Sequence, residues 1–176
     1  MNLPVRPIQH KDINALANYW LNSSDEHLIK MGVDLSKLPN KEDLIAMLNS
    51  QLDTPIENKK SFALIWLLHE KAIGHCNVNQ IEYNKQAYMH LHLWEQQTRH
   101  KGLGTQLVKL SIPLFFKALH LHQLFCEPYA LNPSPNKTLE RIGFSFVKEH
   151  VCIPGYLNFE QPVKRWVFNK DDLSLL

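Results

Sequence analysis

Two short stretches combine residue types able to do chemistry. In Arg99-His100-Lys101-Gly102-Leu103-Gly104, cations and glycines crowd together. Gly102 and Gly104 let the backbone approach a ligand where a side chain would obstruct it. Opening a helix, their N–H groups and the positive end of the helix dipole make an anion site. Arg99, His100 and Lys101 add charged donors at its rim, which suits a pyrophosphate-bearing cofactor. Gly-Lys-Ser/Thr is absent, and the three-glycine dinucleotide fingerprint would need a βαβ unit at its start. Nucleotide hydrolysis and nicotinamide chemistry are therefore disfavoured.

The second stretch runs from Tyr88 to Trp94. Its alternation places Met89, Leu91 and Leu93 on one face of a strand and Tyr88, His90, His92 and Trp94 on the other. An imidazole with an ordinary pKa of about 6.5 can take a proton from an incoming ammonium, directly or through water. The competing reading is a pair of histidines packed under a helix. A His-x-His metal site lacks a third ligand at a recognisable spacing, so no metal is expected. Glu127 and Tyr129 end a strand beside the presumed cleft and are candidates for binding an acceptor. Cys126 reads as a small interior hydrophobe.

Leu3 to Ile8 predicts a short strand, and from Asp12 the residues Ile13, Leu16, Ala17, Trp20 and Leu21 share a helical face. Asn22 to Pro39 reads as irregular. Asn40 caps a helix carrying Leu44, Ile45, Leu48 and Leu52, ended by Thr54-Pro55. Phe62–Leu68 and Ala72–Ile81 predict a hairpin turning at Glu70-Lys71. After the glycine loop, Leu103, Leu107, Leu110, Leu114 and Ala118 form a stripe on a long helix that Pro113 should kink. Gln123–Glu127 is the next strand. Ser134 and Pro135 then open a short helix closed by Gly143. Phe144–His150 and Val163–Asn169 are the last two strands, joined by a loop carrying Tyr156 and Phe159.

This order describes an α/β (α+β) mixed sheet with helices on both faces, in one domain spanning residues 1–176. A hydrophobic content of 44% is enough for a sizeable core, and a formal net charge of +2 does not imply nucleic acid as a partner. Three scattered cysteines with no CxxC pair point to a reducing, cytoplasmic compartment. Neither a secretory signal nor a membrane-spanning stretch is evident.

Arg99-x-x-Gly102-x-Gly104, between a strand and a long helix, resembles the acyl-CoA pyrophosphate loop of GNAT N-acetyltransferases. Val5-Arg6-Pro7-Ile8 with Asp12 resembles that family's opening strand and helix. The run from Asn132 through Asn136-Lys137 to Gly143-Phe144 resembles its penultimate helix, and the closest flavour is the Rim-type branch. The resemblance implies a GNAT-like fold, with a central, mostly antiparallel twisted sheet of about seven strands. It also implies transfer of an acetyl group from acetyl-CoA to a primary amine by direct attack.

By the same resemblance, the strand before the loop splays from its neighbour, and backbone amides near Leu93, Trp94 and Glu95 meet the acyl carbonyl and pantetheine. Leu103, Gly104 and Thr105 hold the pyrophosphate, while Asn132, Asn136 and Lys137 contact the cofactor. Histidines on this strand occur in some family members, which favours His90 as base. The tyrosine that many members place two residues after the Asn-Lys pair is Leu139 here. Tyr129, Tyr156 or a water must then serve the leaving thiolate, unless no acid is needed. The expected acceptor is a small-molecule amine or a protein N-terminus, and the protein a monomer or homodimer. A non-catalytic acyl-CoA-binding module of the same fold is the alternative.

Overall fold

The computed structural model describes residues 5–94 and 102–176. Strand β1 (Val5–Pro7) leads through a 3₁₀ turn at His10–Asp12 into α1 (Ile13–Asn22), followed by α2 (Asp25–Lys30) and α3 (Lys41–Asp53). Then come β2 (Ser61–Leu68), β3 (Lys71–Glu82), β4 (Gln86–Leu93), α4 (Leu103–Leu119), β5 (Gln123–Cys126), α5 (Pro133–Ile142), β6 (Ser145–Cys152) and β7 (Gln161–Asn169). All seven strands join one sheet in the order β1-β2-β3-β4-β5-β7-β6. Every pairing is antiparallel except β4 with β5. The expected mostly antiparallel, seven-stranded sheet is therefore the one observed.

Local chemistry explains the element boundaries. The Asp12 carboxylate accepts the Gln9 N–H at 2.8 Å and both Arg6 guanidinium nitrogens at 2.6 and 2.8 Å, fixing the passage from β1 to α1. Asn40 caps α3 by accepting the Asp43 N–H. The β2–β3 hairpin turns on His69 and Glu70, one residue earlier than expected. Both have positive φ, 48° and 65°, which matches the right-handed twist of the strands it joins.

Several expectations need correction. The stretch from Asn22 to Pro39 contains α2, capped by the Ser24 side chain, and a 3₁₀ turn at Leu35–Lys37 capped by Asp34. Helix α5 starts earlier than expected, with Asn132 at its N-cap position and Pro133 in the first turn. The first N–H groups of a helix have no internal partner, so proline fits there without loss. Helix α4 is the expected long helix with Pro113 inside it, but its buried face differs from the predicted stripe. Its buried face is Leu107, Val108, Ser111, Ile112, Phe115, Phe116 and Leu119, whereas Leu110 is exposed. The buried stripe is thus rotated by about one residue from the predicted one, because apolar residues surround most of this helix.

The main core lies where α4 and α5 cover the sheet, joining Leu64, Trp66, Cys76, Val78, Met89, Leu124, Leu139 and Phe168 to the buried face of α4. The Trp66 indole N–H donates to Ser111 Oγ at 2.9 Å, so its polar atom is satisfied inside the core. On the opposite face, Tyr19 and Trp20 of α1 lie against the rings of His75 and His92. No helix among the described residues is long and apolar enough to cross a membrane.

Candidate active site

The site begins where two strands part. Strands β4 and β5 pair in parallel from Gln86↔Gln123 to Met89↔Cys126, and there the pairing ends. Beyond it β4 continues to Leu93, still paired with β3, and a cleft opens between β4 and β5. Trp94 N–H donates to Ile73 O at 2.9 Å. By the alternation of an antiparallel ladder, Leu91 and Leu93 turn their peptide groups toward the cleft. Trp94, expected to offer its amide there, instead spends it on β3, and its indole N–H donates to His75 Nδ1 at 2.8 Å.

Residues from several elements line the cleft. Met89, His90, Leu91 and His92 form one wall; Cys126 to Tyr129, with Asn132 and Pro135, form the other. Met31, Pro154, Asn158 and Gln161 complete it. The unexpected helix α2 matters here. The Gly32 carbonyl, two residues past its end, accepts from the side chains of Asn158 (2.9 Å) and Gln161 (3.2 Å), tying Met31 to the β6–β7 loop and the start of β7. Gly32 has φ +82°, and a Cβ there would fall 2.0 Å from Gln161 Oε1, so only glycine permits this union.

His90 Nε2 is buried with no hydrogen-bond partner, and burial lowers its pKa to about 4, partly offset by the charge of Glu127. His92 is also buried, and its pKa is held well below the ordinary value by desolvation and the nearby imidazoles. Its Nδ1 lies 3.3 Å from Tyr19 Oη, and its ring stacks on His75 at 4.5 Å. His75, directly opposite His92 in the ladder, has a pKa lowered to about 3 by the same burial. His75 is a site residue that the sequence pattern did not single out. The polar alternation His75, Asn77, Asn79 along β3, matching that of β4, is the signal for it.

The other predicted residues divide into groups. Tyr129 lines the cleft, its ring edge-on to Phe159 at 6.1 Å. Leu139 is fully buried in the core. Lys137 is exposed on α5. Asn136, expected to touch the cofactor, is buried and committed to the scaffold. Its Nδ2 donates to Tyr129 O (3.2 Å) and Asn132 O (2.8 Å), and its Oδ1 accepts the Trp166 indole N–H (2.9 Å). Its role is therefore to position the β5–α5 connection. Glu95, Arg99, His100 and Lys101 lie outside the described residues.

The remaining part of the glycine loop has the geometry an anion site needs. Gly102 sits at the N-cap of α4 with φ +72°, a backbone conformation that favours glycine. A Cβ on Gly104 would lie 3.4 Å from Leu93 Cδ1, so the helix start is held close to the end of β4. The first N–H groups of α4 have no partners within the helix.

The acetyltransferase (GNAT) domain model matches residues 2–145. The chain belongs to the GNAT acetyltransferase family. As a GNAT domain it is an N-acetyltransferase that draws its acetyl group from acetyl-CoA. Among solved structures, it is similar to the ribosomal-protein-S5-alanine acetyltransferase from Vibrio fischeri, with TM-score 0.77 and 22% identity over 96% of this chain and 93% of that one. It is likewise similar to spermidine N-acetyltransferase from Vibrio cholerae in complex with CoA and spermine, with TM-score 0.77 and 16% identity over 97% and 96%. A third is RimL, a ribosomal L7/L12 alpha-N-protein acetyltransferase in complex with coenzyme A, with TM-score 0.76 and 15% identity over 95% and 93%. No curated protein sequence matches this GNAT chain.

The residues present fit acetyl-CoA. The left-handed Gly102 and the amides of Leu103, Gly104 and Thr105 suit the pyrophosphate, and the strand edge at Leu91, which lines the cleft, suits the amide-bearing pantetheine arm.

Proposed function

We propose that this chain acetylates a primary amine held on the histidine-bearing wall of the β4–β5 cleft, by direct attack on the thioester. The observation carrying this reading is His90 Nε2, buried and without a partner at the point where the two strands separate. Bound acetyl-CoA supplies the activated acetyl carbon. The chain's own residues orient it and handle protons.

An ammonium cannot attack until it loses a proton; burial makes His90 a weak base, but its Nε2 is free, and taking the proton as the ammonium discharges leaves the cleft's net charge unchanged. His90 takes that role, while His92, stacked on His75 and bonded to Tyr19, braces the wall beside it. Asn132, at the N-cap of α5 and in the cleft lining, is our candidate for contact with the pantetheine end, and Lys137, exposed on α5, is a further one. With Leu139 in the core, α5 offers no phenol, and Tyr129 is the lining hydroxyl that can protonate the departing thiolate. Among the similar structures, the acceptors named are ribosomal proteins and polyamines. Either a protein α-amine or a small amine suits this chemistry.

Leu139 also favours the second reading, in which the fold binds acyl-CoA without turnover. The two are separated by measuring thermal stability with acetyl-CoA and thiol release across an amine panel. A ligand at a hundred times its Kd stabilises by about 2.7 kcal/mol. That shift is expected in the wild type and lost in Gly104→Glu, where a carboxylate enters the pyrophosphate site. Stabilisation without thiol release from any amine selects the binding module. No stabilisation at millimolar acetyl-CoA sinks both.

A further inference from the structure

The charges in the cleft narrow the acceptor, an inference that rests on the acetyltransferase reading above. Glu127 is the one carboxylate among the described residues lining the cleft. It is already engaged: Arg165 Nε donates to Oε1 at 2.5 Å, His150 Nε2 lies 3.3 Å from the same oxygen, and Cys152 Sγ is 3.7 Å from Oε2. Arg165 is itself held, with its guanidinium 5.8 Å from the ring centroids of both Tyr88 and Phe125. Glu127, His150 and Cys152 have donor atoms within 4.8 Å of one another, a spacing that would suit a metal ion. The fixed guanidinium on the same carboxylate opposes any added cation there.

The rest of the described lining carries no compensating negative charge. It offers the imidazoles of His90 and His92, the Tyr129 hydroxyl, the side-chain amides of Asn132, Asn158 and Gln161, and otherwise apolar side chains. Desolvation holds both imidazoles neutral, so the surroundings disfavour positive charge. Asp25 and Glu26 sit at the exposed first turn of α2 and do not line the cleft. A polyamine must place a second ammonium near the first and needs an unspent carboxylate for it.

We infer that the acceptor is a primary monoamine on an uncharged stem, and that Arg165, by occupying Glu127, excludes polyamines. Arg165 is a specificity-determining residue in this account and touches neither acetyl-CoA nor the reacting nitrogen.

The test compares kcat/KM for phenethylamine, for the tripeptide amide Ala-Ala-Ala-NH2 and for spermidine, at fixed saturating acetyl-CoA. At least one of the two monoamines should exceed spermidine by about tenfold or more, the better of them telling a small amine from a peptide N-terminus. Arg165→Met keeps the stem but removes the guanidinium from Glu127, leaving His150 and Cys152 beside it, and should shrink that ratio about tenfold through a lower spermidine KM, with acetyl-CoA stabilisation unchanged. Spermidine used as well as both monoamines by the wild type would overturn the inference, as would an unchanged ratio in Arg165→Met. Should that variant not fold, Arg165→Gln serves instead, keeping a neutral donor near Glu127 while removing the cation. The same narrowing of the ratio is expected, and an unchanged ratio would overturn the inference. Turnover that prefers polyamines defeats this inference alone, whereas no turnover with any amine defeats the acetyltransferase reading as well.

Discussion

The two faces of the sheet are built from the same strands and do opposite things. On the face under α4 and α5, β3 and β4 contribute Cys76, Val78, Met89 and Leu91, closed over by Leu107, Ile112 and Phe115. On the other face the same two strands contribute His75, Asn77, His90 and His92, with Tyr19 and Trp20 of α1 against the imidazoles. The first face gains stability from every group it buries. The second buries ionisable rings in their neutral form, at a cost that grows as pH falls, and keeps one of them unpartnered beside a cleft. Stability and reactivity are thus separated by the two-residue period of a strand.

Acid should break the second face first, and by the largest margin. Unfolded, each histidine titrates near 6.5; folded, His75 titrates near 3 and His90 near 4, and His92 also lies well below its ordinary value. Between those limits the unfolded chain binds protons that the folded chain refuses, so stability is full above about pH 6.5 and falls as pH drops toward 4. The expected slope is about 1.4 kcal/mol per pH unit for each histidine. Urea melts at stepped pH would show it, and replacing His75 with Gln should flatten the curve by about one histidine's worth.

The first face should answer to volume instead. Phe115→Ala, in the centre of the main core, should cost about 3–5 kcal/mol at pH 7 and leave the acid slope unchanged. Ser111→Ala makes a finer cut, since it removes the acceptor of the buried Trp66 N–H and nothing on the cleft side. A loss of about 1–3 kcal/mol is expected in denaturant melts, with acetyl-CoA affinity retained. A Ser111 variant that altered turnover more than stability would show that the two faces are coupled.

Much of this contrast is legible in the amino-acid sequence. The alternation from Tyr88 to Trp94 separates His90 and His92 from Met89 and Leu91, and the glycines at 102 and 104 mark the helix start that faces the end of β4. Other parts have no local signature. Helix α2 has only six residues and one buried side chain, too short for a helical period to register, yet its C-cap residue Met31 lines the cleft. His75 joins His92 only through strand register, and Arg165 meets Glu127 only because β7 inserts between β5 and β6. Long-range pairing of this kind leaves no mark on neighbouring residues. Asn136 departs from expectation for a related reason: its asparagine matches a family position, whereas its amide is consumed by Trp166 and two carbonyls thirty or fewer residues away.

The most direct test of the central claim is to measure acetyl transfer and acetyl-CoA binding together in His90→Ala, using whichever amine the wild type turns over best. If His90 is the base of the cleft, kcat should fall about 10²–10⁴-fold while acetyl-CoA Kd stays within a few-fold of wild type. Turnover within a few-fold of wild type at neutral pH would contradict the account and remove His90 from the chemistry.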